Sequence, residues 1–186
     1  MSVLSLHDGD ALMVVDVQND FCSGGALAVE QGERIIPEIN RWIDKSTDGD
    51  IPVFASRDWH PRHHISFLSE GGPWPPHCIH DTAGARFHSA LTLPSHTIVV
   101  TKGVRFDQDQ YSAFDQTGLE ACMARLGIRR LFIAGLALDV CVLATALDGR
   151  RHGMEVVLIT KATKPVFTDR GGPAIAKMQR AGVLMA

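Results

Sequence analysis

The stretch LFIAGLALDVCVLATALDGRRHG, Leu131 to Gly153, joins an apolar run to a segment of helix-forming residues. The run RLFIAG, 130–135, is too short for a helix and too uniformly apolar for a strand with one face in water. It therefore predicts a strand buried on both faces, as in a parallel sheet covered by helices. A glycine ends this strand, and Cys141 lies just beyond it, in the first turn of a helix predicted over 139–152.

Four more apolar runs of similar length recur along the chain, and helical segments separate them. The runs are ALMVVD at 11–16, IPVFAS at 51–56, TIVVT at 97–101 and EVVLIT at 155–160. The other helices are predicted at 31–47, 117–127 and 170–181. Strands that alternate with helices imply right-handed crossovers between parallel strands. We therefore predict an α/β fold, a three-layer α/β/α sandwich with a mainly parallel, doubly wound central sheet.

Size and charge limit the kinds of function that the chain can have. It has 186 residues, 45% of them hydrophobic, which is enough for one sizeable core and predicts a single domain over 1–186. The 18 Lys and Arg residues nearly balance the 21 Asp and Glu residues, and there is no long run of like charge. This balance argues against binding to nucleic acid or to a membrane surface. We expect a small-molecule substrate, and a homo-oligomer remains an open alternative.

The cysteines and the N-terminus predict a reduced, cytoplasmic protein. The four cysteines are far apart and form no CxxC pair, and the N-terminal sequence has neither a basic start nor a signal-peptide cleavage site. No apolar run reaches the roughly 18 to 20 residues that span a bilayer. Apart from Cys141, which is treated below, we expect each cysteine to be a small buried hydrophobic residue. These three are Cys22, Cys78 and Cys122.

One long segment, at about 58–95, breaks the alternation of strands and helices. It has no convincing periodicity, and it contains five prolines and most of the histidines of the chain. A connection of this length without regular structure is uncommon unless it has a function of its own. We therefore interpret it as a loop excursion that forms part of a site.

Chemically capable residues fall where the predicted strands end. Asp16 ends the first apolar run, Asp58 follows the second, Lys102 follows the third, and Cys141 lies just past the fourth. Ligands of open parallel sheets bind beyond the carboxyl ends of the strands, so these four residues are expected at one edge. Taken singly, an aspartate there is often a helix cap, a lysine a solvated group and a cysteine a core residue; together they favour a site.

The four positions are suited to acyl transfer. The first turn of a helix stabilises an anion, so it should lower the pKa of the Cys141 thiol from about 8.5, and Lys102 should act in the same direction. Asp16 is a candidate general base that accepts the thiol proton and returns it to a leaving group. Peptide N–H groups before and at Cys141 offer an oxyanion hole. No GxSxG or Gly-rich phosphate motif competes with this interpretation.

The histidine segment contains a pattern typical of a metal site. Asp58 and His60 are two residues apart in SRDWHPRHHISF, so both side chains face one way in an extended segment, and His77 in WPPHC is placed to join them. One carboxylate and two imidazoles leave coordination positions open, which suits zinc, iron or manganese. His64 is either a fourth ligand or a hydrogen-bond partner, and the sequence leaves both open.

Four motifs along the chain also resemble the motifs of a known enzyme family. They are VVDVQNDFCSGGALAV (14–29), the pair RDWHPRHHISF (57–67) and WPPHC (74–78), TKGVRFDQDQYSAF (101–114) and AGLALDVCVLATALDG (134–149). In this order they resemble the nicotinamidases, also called pyrazinamidases, of the isochorismatase-like cysteine hydrolase superfamily. The resemblance extends over nearly the whole chain and implies the fold of that superfamily.

The resemblance implies roles for particular residues. Asp16, Lys102 and Cys141 would form a catalytic triad, and a cis peptide between Leu136 and Ala137 would aim the N–H groups of Ala137 and Cys141 at the oxyanion. Asp58, His60 and His77 would bind one divalent transition metal ion, with zinc favoured over iron and manganese. A flat heteroaromatic ring would lie among aromatic side chains with its nitrogen toward the metal. The matching aromatic residues are Phe21, Trp74 and Tyr111.

The implied reaction is hydrolysis of nicotinamide to nicotinate and ammonia through a thioester on Cys141, with pyrazinamide as a further substrate. The product would serve NAD salvage or pyridine catabolism. Two other functions remain open. One is an amidase of the same superfamily that acts on an N-carbamoyl or ureido compound, and the other is a catalytically silent metal-binding scaffold. The metal set at Asp58, His60 and His77 argues against the first, and the triad argues against the second.

Overall fold

A computed structural model of the protein describes residues 5–186, so residues 1–4 of the N-terminal stretch considered above lie outside it. Six strands and four α-helices follow one another along the chain. The strands are β1 (Asp10–Val15), β2 (Val53–Asp58), β3 (Ile98–Lys102), β4 (Arg130–Leu136), β5 (Glu155–Lys164) and β6 (Leu184–Met185). The helices are α1 (Ile36–Asp48), α2 (Leu119–Arg125), α3 (Leu143–Arg151) and α4 (Gly171–Arg180).

All six strands are parallel and form one sheet in the order β3-β2-β1-β4-β5-β6. The chain first moves outward from β1 to β3 and then returns to the other side of β1 with β4. The loops after β1 and β4 therefore leave the sheet at its topological switch point, where ligands bind in doubly wound folds. The predicted fold class is confirmed.

The sheet is the middle layer of three. Successive side chains of β1 face opposite sides, so Leu12 lies in one hydrophobic cluster with Ile39 of α1. Met13 lies in the other cluster, with Met123 of α2 and Met178 of α4. Helices thus cover both faces, which explains why the strands are continuously apolar in sequence.

Several predicted boundaries differ from the observed ones. Strand β2 begins and ends two residues later than predicted, so Asp58 is its last residue, and Lys102 is likewise the last residue of β3. Strand β6 was not predicted, because two residues at the sheet edge leave no recognisable pattern. In the part of the chain that the structure describes, no helix is long and apolar enough to cross a membrane.

The helix predicted over 139–152 begins with a different local structure. Residues Leu138–Val142 form a π-helical turn, and α3 starts only at Leu143. The N–H of Val142 donates to the carbonyl of Ala137 at 3.1 Å, an i to i−5 bond that widens the turn. Such turns are frequent at functional sites, and this one contains Cys141.

The connection between β2 and β3 is the irregular loop that the sequence predicts. Between Asp58 and Ile98 the only helical segment of the described chain is a short 3-10 turn, Leu68–Glu70. Isolated bridges fasten the loop, including His60 with Ile79. The loop therefore lies over the carboxyl edge of the sheet without helices or long strands of its own.

Candidate active site

The structure brings Asp16, Lys102 and Cys141 together at the carboxyl edge of the sheet. Lys102 is fully buried, and its Nζ lies 2.8 Å from Asp16 Oδ2 and 3.5 Å from Cys141 Sγ. One carboxylate oxygen of Asp16, one of Asp58 and the Cys141 sulfur lie within 4.8 Å of one another. The four residues that the sequence placed at strand ends are thus close neighbours, and we call the candidate catalytic residues Asp16, Lys102 and Cys141 the catalytic trio.

The strand register produces this arrangement. Asp58 and Lys102 are paired neighbours at the ends of β2 and β3, and Lys102 Nζ donates to Asp58 Oδ1 at 2.5 Å. Asp16 directly follows β1, and Ser56 Oγ of the adjacent strand donates to Asp16 Oδ1 at 2.7 Å. Asp16 has a positive φ of 47°, a conformation that aspartate tolerates better than most residues. Short contacts between adjacent strand ends therefore fix both carboxylates.

A glycine allows the end of β4, which leads into the turn that contains Cys141, to lie close to β1 and Asp16. Gly135 lies near the end of β4, pairs with Val15 of β1, and has a φ of 122°. A Cβ on Gly135 would lie 2.0 Å from the carbonyl oxygen of Val15, which is far inside van der Waals contact. Only glycine fits there, and the turn that contains Cys141 begins three residues later, at Leu138.

The two aspartates beside Lys102 have different proton affinities. Burial opposes the charge of Lys102, but Asp16 and Asp58 outweigh it and raise its pKa well above the usual value. Burial would raise the pKa of Asp58, but the charge of Lys102, together with the hydrogen bond to His60, outweighs it and lowers that pKa. For Asp16 burial dominates over Lys102, and the pKa is raised. Asp58 is therefore the more acidic of the two carboxyl groups, and Asp16 is the one better suited to hold a proton.

The prediction of a lowered pKa for Cys141 is wrong for the ligand-free protein. Cys141 is only 6% exposed, and burial raises the pKa of its thiol well above the usual value. Lys102 lowers this pKa, but Asp16 and Asp58 raise it further. In addition, the residue lies in the π-helical turn, before the α-helix begins, so it is not at the N-terminus of α3. The thiol therefore keeps its proton until an acceptor takes it.

Asp58, His60 and His77 form a group that fits a metal ion. All three side chains are buried, and one donor atom from each lies within 4.8 Å of the others. Nδ1 of His60 lies 2.8 Å from the carbonyl of Gly103, and Nδ1 of His77 lies 2.8 Å from that of Pro75. Because a carbonyl only accepts, each Nδ1 carries the proton and leaves the Nε2 lone pair for a metal. A donor set of two imidazoles and one carboxylate suits a divalent transition metal.

His64 has features of both roles that the sequence left open, a fourth metal ligand and a hydrogen-bond partner. Its Nδ1 is hydrogen-bonded with Ser66 Oγ at 2.7 Å. Its Nε2 is buried and has no hydrogen-bond partner among residues 5–186. The ring centroid lies 4.2 Å from that of His60, and His64 groups with His60 and Asp109 as a second set of donors within 4.8 Å. A ligand role would therefore use Nε2.

A pocket opens beside the trio and the metal group. Cys141 and Ala137 form one part of the wall, and the other part is mainly apolar. The predicted aromatic residues Phe21, Trp74 and Tyr111 all line it, and Trp74 Nε1 donates to Tyr111 Oη at 3.0 Å. The expected cis peptide between Leu136 and Ala137 is present.

Sequence reasoning missed other residues that shape this pocket. Val166 also lines it and follows the end of β5, and the N–H of Val166 donates to Asp139 Oδ1 at 2.8 Å. The N–H of Phe167 donates to the second carboxylate oxygen of Asp139 at 3.1 Å, and the Phe167 ring stacks on Trp74. The only sign in the sequence that Asp139 helps to shape the pocket is its position two residues before Cys141. Cys22 and Cys78 are buried as predicted, while Cys122 is half-buried.

Comparison with known proteins agrees with this arrangement. The isochorismatase domain matches residues 10–186. Over 178 residues the chain is 39% identical to the nicotinamidase of Acinetobacter baylyi, covering 84% of this chain and 81% of that protein. The pyrazinamidase of Pyrococcus horikoshii, crystallised in complex with zinc, is 40% identical with a TM-score of 0.93, covering 96% and 98% of the two chains. PnC1 from L. infantum, crystallised with nicotinate, is 37% identical with a TM-score of 0.91, covering 96% and 92%.

Proposed function

The chain belongs to the isochorismatase family, and we propose that it is an amidohydrolase that converts nicotinamide and water into nicotinate and ammonia. The observation that carries the proposal is that the trio and the metal group meet at one apolar pocket and are joined there by Asp58. Pyrazinamide is a further substrate, because the pocket lining distinguishes little between two flat rings of the same size. The nicotinate formed is available to NAD salvage.

The first half of the reaction acylates Cys141. Asp16 takes the thiol proton, and the Cys141 sulfur attacks the carboxamide carbon. The N–H groups of Ala137 and Cys141 stabilise the resulting oxyanion. Asp16 then gives its proton to the amide nitrogen, the C–N bond breaks, and ammonia leaves behind a thioester. The raised pKa of Asp16 suits it to hold this proton between the two transfers.

The second half of the reaction returns the free enzyme. A water molecule takes the position that ammonia has left, and Asp16 accepts a proton from it as the oxygen attacks the thioester carbon. The C–S bond breaks, nicotinate forms, and the proton on Asp16 returns to the sulfur. Lys102 keeps its charge throughout, because two carboxylates surround it, and it stabilises the transient thiolate at 3.5 Å.

Asp58, His60 and His77 would hold a divalent metal ion. His64, which groups with His60 but not with Asp58 and His77, would serve as a fourth ligand only through its unpaired Nε2. Zinc is the proposed ion. When bound, it supplies a Lewis acid at the pocket wall that can accept a ring nitrogen. Phe21, Trp74 and Tyr111 orient the ring, and the carboxamide is then directed at Cys141. The four free cysteines of the chain favour a reducing, cytoplasmic location.

Ammonia release from nicotinamide by the purified protein tests the proposal. Cys141→Ala should lower kcat/KM on the order of 10³-fold or more, because it removes the nucleophile. Cys122→Ala, on the surface helix α2, is the matched control and should retain wild-type activity. Removal of metal with a chelator should also abolish release, and added zinc should restore it.

The outcomes separate the parts of the proposal. Release that needs both Cys141 and a metal supports the whole mechanism. Appreciable release by Cys141→Ala would contradict the role of Cys141 as nucleophile. No release from nicotinamide or pyrazinamide by a reduced, zinc-loaded protein would overturn the substrate, and release from an N-carbamoyl or ureido compound would then identify a different amidase.

A further inference from the structure

Gln18 is a buried amide that the proposed mechanism does not use. It lies two residues after Asp16, in the loop that follows β1, and it is fully buried. Its Nε2 donates to the backbone carbonyls of Asp58 and Ala85, both at 2.8 Å. Its Oε1 accepts from the backbone N–H of Asp58, also at 2.8 Å. The side chain therefore bonds both backbone groups of one residue.

The hydrogen bonds of Gln18 begin where the backbone pairing of β1 with β2 ends. Strands β1 and β2 pair only as far as Val15 with Ser56. The last backbone bond between them is from the N–H of Asp16 to the carbonyl of Ser56, at 3.2 Å. Beyond it the two chains separate, and the Gln18 amide takes the place of a strand neighbour for Asp58. No other side chain among residues 5–186 forms a hydrogen bond to the backbone of Asp58.

Asp58, whose backbone Gln18 holds, contacts both the trio and the metal group. Asp58 Oδ1 accepts from Lys102 of the trio, and Asp58 Oδ2 lies 3.7 Å from His60 Nε2 in the metal group. A small rotation of the Asp58 backbone would move both carboxylate oxygens. The third bond of Gln18, to Ala85, anchors the amide to the far end of the loop between β2 and β3.

We propose that Gln18 is a positioning residue that sets the metal affinity of the site by fixing the backbone of Asp58. The inference rests on the metal site of the proposed function. Partners that orient a metal ligand typically change affinity 10- to 100-fold when they are removed. A side chain that only fills space and satisfies buried carbonyls would lower stability without changing affinity in the folded protein.

The test compares zinc affinity in full-length apoprotein variants, by competition with a chromophoric chelator. Gln18→Met keeps a similar volume and removes all three hydrogen bonds, and we expect it to bind Zn²⁺ about 10 to 100 times more weakly than wild type. Gln18→Glu keeps the side-chain length but has no N–H for either carbonyl, so it should also bind more weakly; it replaces Gln18→Met in the test if that variant does not fold. Circular dichroism checks that each variant is folded at the temperature used.

Asn19→Ala is the matched control. The neighbouring Asn19 amide donates to the carbonyl of Ala83 at 2.8 Å, so it fastens the same part of the loop without touching Asp58. Its loss should leave the zinc affinity unchanged. A folded Gln18 variant with wild-type affinity would overturn the inference while leaving the metal site intact. A wild-type protein that binds no zinc, or binds it equally after His77→Ala, would instead overturn the metal site and the inference with it.

Discussion

The catalytic trio and the metal group meet at the same pocket, but the fold supports them in different ways. Asp16 directly follows β1, Lys102 ends β3, and Cys141 lies in the π-helical turn that comes after β4. Lys102 contacts both of the other residues. The histidines proposed as metal ligands, His60 and His77, lie in an irregular loop, and single backbone carbonyls orient them. Strand ends and the turn after β4 thus place the trio, whereas individual hydrogen bonds orient the histidines.

This difference predicts different responses to mutation. The trio and Asp58 contain one buried cation between two buried carboxylates, so the loss of the cation affects the stability of the fold. The loss of one histidine leaves Lys102 in place between the two carboxylates, so it should affect metal binding far more than folding. The following substitutions test this contrast.

Removal of the cation should have the largest effect. Lys102→Met leaves the carboxylates of Asp16 and Asp58 buried without their partner, which typically costs about 3 to 5 kcal/mol. Turnover should be lost, and the free energy of unfolding from urea denaturation at neutral pH should fall by this amount. Without Lys102 the pKa values of both carboxylates rise, so the deficit should be largest at high pH and shrink as the pH falls and they become protonated.

Cys141→Ala is the control for Lys102→Met, because it also stops turnover but removes no charge from the cluster. Its free energy of unfolding should stay much nearer to that of the wild type. If Lys102→Met unfolds at the same urea concentration as Cys141→Ala, the ion cluster does not stabilise the fold, and the contrast between the two regions fails.

Loss of a histidine ligand should have its main effect on metal content. His60→Ala removes one of three proposed donors, so we expect the zinc content after dialysis to fall from about one ion per chain to a small fraction. The unfolding free energy of the apoprotein should change far less than in Lys102→Met. Elemental analysis and urea denaturation of the same samples measure both effects.

His63→Ala is the matched control for His60→Ala. His63 is in the same loop, and Nδ1 of its exposed ring lies 3.2 Å from the carboxylate of Glu70. It should keep full zinc content. Equal zinc loss in the two variants would mean that the loop as a whole, and not the His60 ring, determines binding.

The sequence predicted the trio well because its signals are local. A buried parallel strand is a continuous apolar run, and a reactive residue at its end must lie at the carboxyl edge of the sheet. The positions of Asp16, Lys102 and Cys141 relative to their apolar runs were therefore enough to place them together. The same argument reached Asp58, which ends β2.

What the sequence could not predict depends on contacts between distant residues. The pKa of Cys141 is raised because the folded chain buries it, and burial at one position is not visible in a local pattern. The role of Gln18 depends on carbonyls 40 and 67 residues away in sequence. Asp139 likewise bonds a loop 27 residues further on. A residue type and a spacing identify a reactive group, but only the fold shows what holds it.

The smallest effect is expected at the rim of the pocket, where a side chain is held by one hydrogen bond from another side chain. Tyr111 is 37% exposed, and its hydroxyl accepts one hydrogen bond from Trp74 at 3.0 Å. Tyr111→Phe removes that bond, whose net contribution is about 0.5 to 1.5 kcal/mol, so kcat/KM for nicotinamide should fall by roughly 2- to 10-fold. The zinc content and the unfolding free energy should stay close to wild type. A loss of more than about 100-fold would show that the hydroxyl contacts the reacting carboxamide, and Tyr111 would then belong with the catalytic trio.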